Sequence, residues 1–95
     1  MVRRAQELRL TLAKAQREVQ DQERQLKAIT DDQARLRLNL REMPTTAKAY
    51  KRYLDKFDQQ ETRIEQLQQD LQKSRQAEGE RKKELEDFLA SFTAE

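Results

Sequence analysis

One proline, Pro44, stands between two stretches in which apolar side chains recur at alternating steps of three and four residues. On the N-terminal side the series runs Ala5, Leu8, Leu12, Ala15, Val19, Gln22, Leu26, Ile29, Gln33, Leu36, Leu40 and Met43. On the C-terminal side it runs Tyr50, Tyr53, Phe57, Gln60, Ile64, Leu67, Leu71, Ser74, Glu78, Arg81, Leu85, Phe88 and Phe92. A repeat averaging 3.5 residues, held without a phase break, is the signature of a coiled coil. An unfolded chain has no reason to keep such a phase, although low hydrophobicity with high charge suits disorder. Here 40% of the residues are charged and only 35% are hydrophobic. A two-faced helix tolerates that balance because it needs only a narrow apolar stripe.

The proline ring disfavours helical geometry at Met43 and cannot continue a helix behind it. Thr45 and Thr46 follow, and either hydroxyl can cap a new helix. The spacing therefore predicts helix 1 over about 2–43, a turn at 43–46 and helix 2 over about 46–91. Residues 1–95 form one unit, an all-α antiparallel coiled-coil hairpin able to dimerise into a four-helix bundle. With one Gly and one Pro in 95 residues, a many-stranded β fold is excluded. Acid-first pairs Glu23–Lys27, Asp31–Arg35 and Glu78–Lys82 are expected to add about 0.2–0.5 kcal/mol each to the helices.

The seam quantises the register in steps of seven. Facing residues whose numbers add to 93 put Leu36 against Phe57, Ile29 against Ile64 and Leu26 against Leu67. Gln33 then meets Gln60, a polar core layer in which each amide is expected to satisfy the other. The competing register, adding to 86, puts Gln33 against Tyr53 and Gln60 against Leu26. An unpaired buried polar group costs about 1–3 kcal/mol, which favours 93. The stretch from Ser74 to Arg81, with Gly79 inside it, is the weak part of the seam and is expected to pack poorly or bend.

Several chemistries are removed by absence. With no Cys and no His there is no thiol nucleophile, disulfide, imidazole metal site or Ser-His pair. Gly79 alone cannot build a phosphate-binding glycine loop. Paired carboxylates such as Asp31-Asp32 and Glu86-Asp87 need a cleft to become catalytic, and a thin rod offers none. The sequence thus predicts no enzyme, no cofactor, no metal and no small-molecule substrate. It contains no membrane span, and the start Met1-Val2-Arg3-Arg4 lacks the apolar core of a secretory signal. The compartment stays open between the cytoplasm and a larger envelope protein.

Three surface features point to partners. Residues 35–56 carry a net charge of +5, while the rest of the chain is negative. Arg37, Arg41, Lys48, Lys51 and Arg52 form this candidate basic tip, a possible contact for RNA or DNA. Tyr50 and Tyr53 interleave with it but already serve the seam. Leu10, Leu38, Leu54 and Leu89 lie off the seam and are candidate self-association residues. A structural or protein–protein interaction module is the primary expectation. A nucleic-acid-binding arm, of the kind seen on seryl-tRNA synthetase, is the alternative, and an export chaperone or adaptor the third.

The run Asp31-Asp32-Gln33-Ala34-Arg35-Leu36-Arg37-Leu38-Asn39-Leu40, followed by Lys51-Arg52-Tyr53-Leu54-Asp55-Lys56-Phe57-Asp58-Gln59-Gln60-Glu61, has a family counterpart. It resembles the C-terminal helical region of large uncharacterised bacterial proteins of the mucoidy-inhibitor-like kind, over about residues 29–70. The resemblance implies a coiled-coil hairpin belonging to a longer protein. It implies no activity and no site residues.

Overall fold

The computed structural model describes residues 2–93. Two long α-helices, α1 (Val2–Glu42) and α2 (Lys48–Thr93), pack against each other as an antiparallel hairpin, and no strand occurs among the described residues. None of the described helices is long and apolar enough to cross a membrane.

The connection is tighter in sequence than a capped helix start allows. The Ala47 N–H donates to the Pro44 carbonyl at 3.0 Å, closing a β-turn whose central residues are Thr45 and Thr46. Both threonines are therefore consumed by the turn, and neither hydroxyl caps the next helix. Helical geometry begins only after Ala47, whose carbonyl accepts the Tyr50 N–H at 3.0 Å. As a result α2 starts at Lys48 rather than residue 46 and runs to Thr93, while α1 ends at Glu42.

Close contacts divide the hairpin into two compact units, Glu23–Gln69 and a terminal unit made of Met1–Gln22 with Asp70–Glu95. In the turn-bearing unit Leu36 is fully enclosed, and Ile64, Leu67, Gln33 and Gln60 are buried around it. Leu26, Ile29, Leu40, Met43, Tyr50, Tyr53 and Phe57 are half-buried along the same stripe. Burying a side chain of this size contributes roughly 1.5–3 kcal/mol. Besides the long Arg63 side chain, which reaches back along the surface to Gln25 Oε1 at 3.5 Å, three contacts between the helices mark the register: Gln33 with Glu61, Asp32 with Gln60, and the Arg37 guanidinium over the Phe57 ring at 5.7 Å. Their residue numbers add to 94, 92 and 94, centred on 93.

In the terminal unit Leu8, Val19, Leu71 and Ser74 are buried. Ala5, Leu12, Ala15, Gln22, Glu78, Arg81, Leu85 and Phe88 are half-buried, and Phe92 lies at 38% exposure. Phe88 and Phe92, one helical turn apart, meet edge to face with centroids 5.0 Å apart. Helix α2 runs unbroken through Gly79, which is exposed and has no left-handed backbone angle. A side chain at Glu78 or Arg81 reaches water from the seam edge, so the polar positions interrupt the apolar stripe without ending the helix.

The surface ion pairs differ from the acid-first pattern. Asp31 pairs with Lys27 at 2.8 Å, and Arg35 turns to Asp32 at 2.9 Å instead of Asp31. Residues three and four apart are both within reach on a helix, and Asp32 offers Arg35 the shorter path. Lys83–Asp87 and Arg81–Glu84 close further pairs, whereas Glu78 and Lys82 do not meet.

Candidate functional site

The most buried polar side chains among the described residues form the layer at Gln33 and Gln60, which are 6% and 8% exposed. These amides do not bond to each other. Gln33 Nε2 donates to Glu61 Oε1, and Gln60 Nε2 donates to Asp32 Oδ2 at 2.6 Å. Each glutamine thus crosses the seam to the carboxylate beside its counterpart. The cause lies in the sequence: Asp32 precedes Gln33 on α1 and Glu61 follows Gln60 on α2, so antiparallel packing brings both acids to the same level beside the glutamine layer, each within reach of the opposite amide. A charged acceptor gives a stronger hydrogen bond than a second amide, so the carboxylates win the competition. Gln60 Oε1 is left buried without a partner, as is Gln22 Oε1 in the terminal unit.

Asp32 also accepts from Arg35 Nε, and that hydrogen bond, followed by the one from Gln60, holds its carboxyl below the usual aspartate range. Lys27 is held above the usual lysine range by its hydrogen bond to Asp31. Nothing in either arrangement activates a group for proton transfer. Asp32 accepts through both oxygens, Oδ1 from Arg35 and Oδ2 from Gln60, which is the geometry of a structural acceptor. Sequence reasoning picked out the two glutamines but missed Asp32 and Glu61. The signal was present, because an acid flanks each polar seam residue on the side facing its counterpart.

The basic tip belongs wholly to the turn-bearing unit, and Arg37, Arg41, Lys48, Lys51 and Arg52 are all exposed. Tyr50 and Tyr53 are half-buried on the seam side of the same segment. Among the candidate contact leucines, Leu38 and Leu54 of the turn-bearing unit are 59% and 43% exposed. Leu10 of the terminal unit is exposed at 70%, but Leu89 is half-buried beside Phe88 and offers little free surface.

Two open grooves occur in the terminal unit. One of about 310 Å³ is lined by Val2, Ala5, Gln6, Arg9 and Phe92, and the other of about 470 Å³ by Gln6, Arg9, Leu10 and Ala13. Both are mainly apolar, and Arg9 is the single charged residue in each lining. No group of three His, Cys, Asp or Glu residues able to hold a metal ion occurs among the described residues. Comparison of the chain with protein-family models, curated proteins and solved structures finds no match.

Proposed function

We propose that this chain is a structural and protein–protein interaction module, a helical hairpin with no catalytic chemistry of its own. The observation that carries the reading is the division of its large apolar side chains. Those on the 3–4 repeat are turned into the seam, apart from Phe92 at the end, while Leu38 and Leu54 remain outside it and exposed. A two-helix seam buries a smaller fraction of its surface than a globular core does, so added apolar contact has much to contribute. A second copy of the hairpin is the partner that fits, giving a four-helix assembly through the face of Leu38 and Leu54. As part of the same proposal, the mucoidy-inhibitor-like resemblance read in residues 29–70 makes the hairpin a spacer inside a longer bacterial protein.

Sedimentation equilibrium tests this directly. The wild type is expected to form dimers at micromolar concentrations, and the Leu38→Lys, Leu54→Lys double variant to stay monomeric with unchanged helix content. A wild type that remains monomeric at high micromolar concentration refutes self-association.

A further inference from the structure

Residues 35–56 carry seven cations against two acids, while the rest of the chain has a net charge of −3. Below the tip, Lys27 pairs with Asp31 and Arg35 with Asp32. In the terminal unit Arg4, Arg81 and Lys83 pair with Glu7, Glu84 and Asp87, and the scattered Lys14, Lys73 and Lys82, which close no ion pair among the described residues, provide a comparison of equal charge without the clustering. At the tip, Arg37, Arg41, Lys48, Lys51 and Arg52 have no carboxylate within ion-pair distance among the described residues. Glu42 and Asp55 are the only acids between residues 37 and 55, and neither is drawn into a pair. The first turn of α2 contains no acidic residue either, so the positive end of its dipole adds to the same field.

The rest of the tip restricts what this field can hold. Single-stranded nucleic acid is gripped largely by stacking bases on exposed aromatic rings. Here Tyr50, Tyr53 and Phe57 are half-buried toward the seam, and the Arg37 guanidinium lies over the Phe57 ring. A membrane surface is gripped by apolar side chains that enter the headgroup region. The turn offers Pro44, Thr45 and Thr46 there, with no large apolar wedge among them. What remains is a set of unpaired cations carried by both helices on either side of a small polar turn. That arrangement suits a dense row of fixed anions on a rigid surface, and a duplex supplies one phosphate charge per roughly 1.7 Å of its axis.

We propose that the tip of the hairpin binds the phosphate backbone of a nucleic-acid duplex without reading its sequence. Arg37, Arg41, Lys48, Lys51 and Arg52 contact phosphates, and no side chain of the tip is placed to read a base. Arg41 and Lys51 lie three residues from Leu38 and Leu54 on the same helix faces, so sedimentation equilibrium of each charge variant accompanies the binding measurement and separates loss of duplex binding from loss of self-association.

Fluorescence anisotropy of the full chain with a short labelled RNA duplex tests the proposal. If three to five phosphates are neutralised, log K falls against log salt with a slope of about −3 to −4.5. Affinity then drops roughly 50- to 500-fold between about 50 and 200 mM salt. The Lys48→Glu, Lys51→Glu, Arg52→Glu variant is expected to lose most of the binding and most of the slope. Its counterpart Lys14→Glu, Lys73→Glu, Lys82→Glu has the same net charge, reverses exposed lysines of the terminal unit, and is expected to keep both. Helix content by circular dichroism accompanies each variant, and the milder Lys51→Ala, Arg52→Ala pair provides the slope if the triple variant does not fold. Equal losses in the two triple variants overturn the proposal, as does absence of duplex binding at low salt. Tighter binding to a single strand of equal phosphate count overturns it too. Preferential binding to anionic vesicles or to polyglutamate, with the duplex unbound, assigns the tip to a membrane or an acidic protein instead.

Discussion

Replacing both members of the polar layer, Gln33→Leu with Gln60→Leu, is expected to stabilise the hairpin and to weaken its register. Both side chains are almost fully buried, so each leucine contributes roughly 1.5–3 kcal/mol of apolar burial. The substitution also removes the orphaned Gln60 Oε1, whose burial without a partner costs about 1–3 kcal/mol. Against these gains stand two hydrogen bonds to carboxylates, worth about 1.5–3 kcal/mol each in buried surroundings. Their acceptors are only part-buried, and Asp32 keeps its Arg35 partner, so the loss falls at the lower end. The net expectation is a gain of roughly 1–6 kcal/mol. Urea denaturation followed by circular dichroism measures it as a higher midpoint with an unchanged slope. Specificity moves the other way. In the wild type, sliding by one heptad would place Gln33 against Tyr53 and Gln60 against Leu26, leaving both amides away from their carboxylates. In the double variant that penalty vanishes, and the two registers approach each other in energy. A double variant less stable than wild type by more than about 1 kcal/mol would refute the reasoning, because the crossed hydrogen bonds would then outweigh apolar burial.

Three further outcomes follow from named positions. Gly79→Ala should stabilise the protein by about 1 kcal/mol, since Gly79 lies inside α2 and an added Cβ meets nothing within 4 Å; a lower melting temperature would contradict this. The Asp32 carboxyl is held below its ordinary range in the fold, so its contribution is present above the unfolded-state value and is lost as pH falls through the folded one. Below about pH 4 wild type should therefore lose stability more steeply than Asp32→Asn, and parallel acid profiles would dismiss the role given to Asp32. Amide exchange should be faster at residues 75–82 than at 64–71, because Gly79 and the part-exposed Glu78 and Arg81 replace the buried Ile64, Leu67 and Leu71; slower exchange there would reject that ranking.

The fold was legible because the 3–4 repeat is a statement about which side of a helix each residue occupies. Every seam position except Phe92 is buried or half-buried, including the polar Gln22, Gln33, Gln60, Ser74, Glu78 and Arg81. Details set by competition between close alternatives were not legible. Arg35 has Asp31 and Asp32 both within reach, and only the rotamer decides between them. The buried amides have each other and two flanking acids as acceptors, and charge decides for the acids. Thr45 and Thr46 suit a turn and a cap equally well by type, and the Pro44 carbonyl settles the matter by accepting the Ala47 N–H. The basic tip was visible as composition. Its lack of neutralising partners became visible only when the ion pairs elsewhere on the surface were in place.

The most direct test of the hairpin and its register is thiol cross-linking within the turn-bearing unit. Cysteines introduced as Ile29→Cys and Ile64→Cys face each other when residue numbers add to 93, whereas Ile29→Cys with Phe57→Cys face each other only when they add to 86. One heptad of slip moves a partner by about 10 Å along the helix axis. Thiols whose Cα atoms lie more than about 7 Å apart are not bridged without backbone movement. The expected result is rapid intramolecular cross-linking of the 29–64 pair and little of the 29–57 pair. Preferential cross-linking of 29–57, or cross-links formed only between chains, would contradict the account.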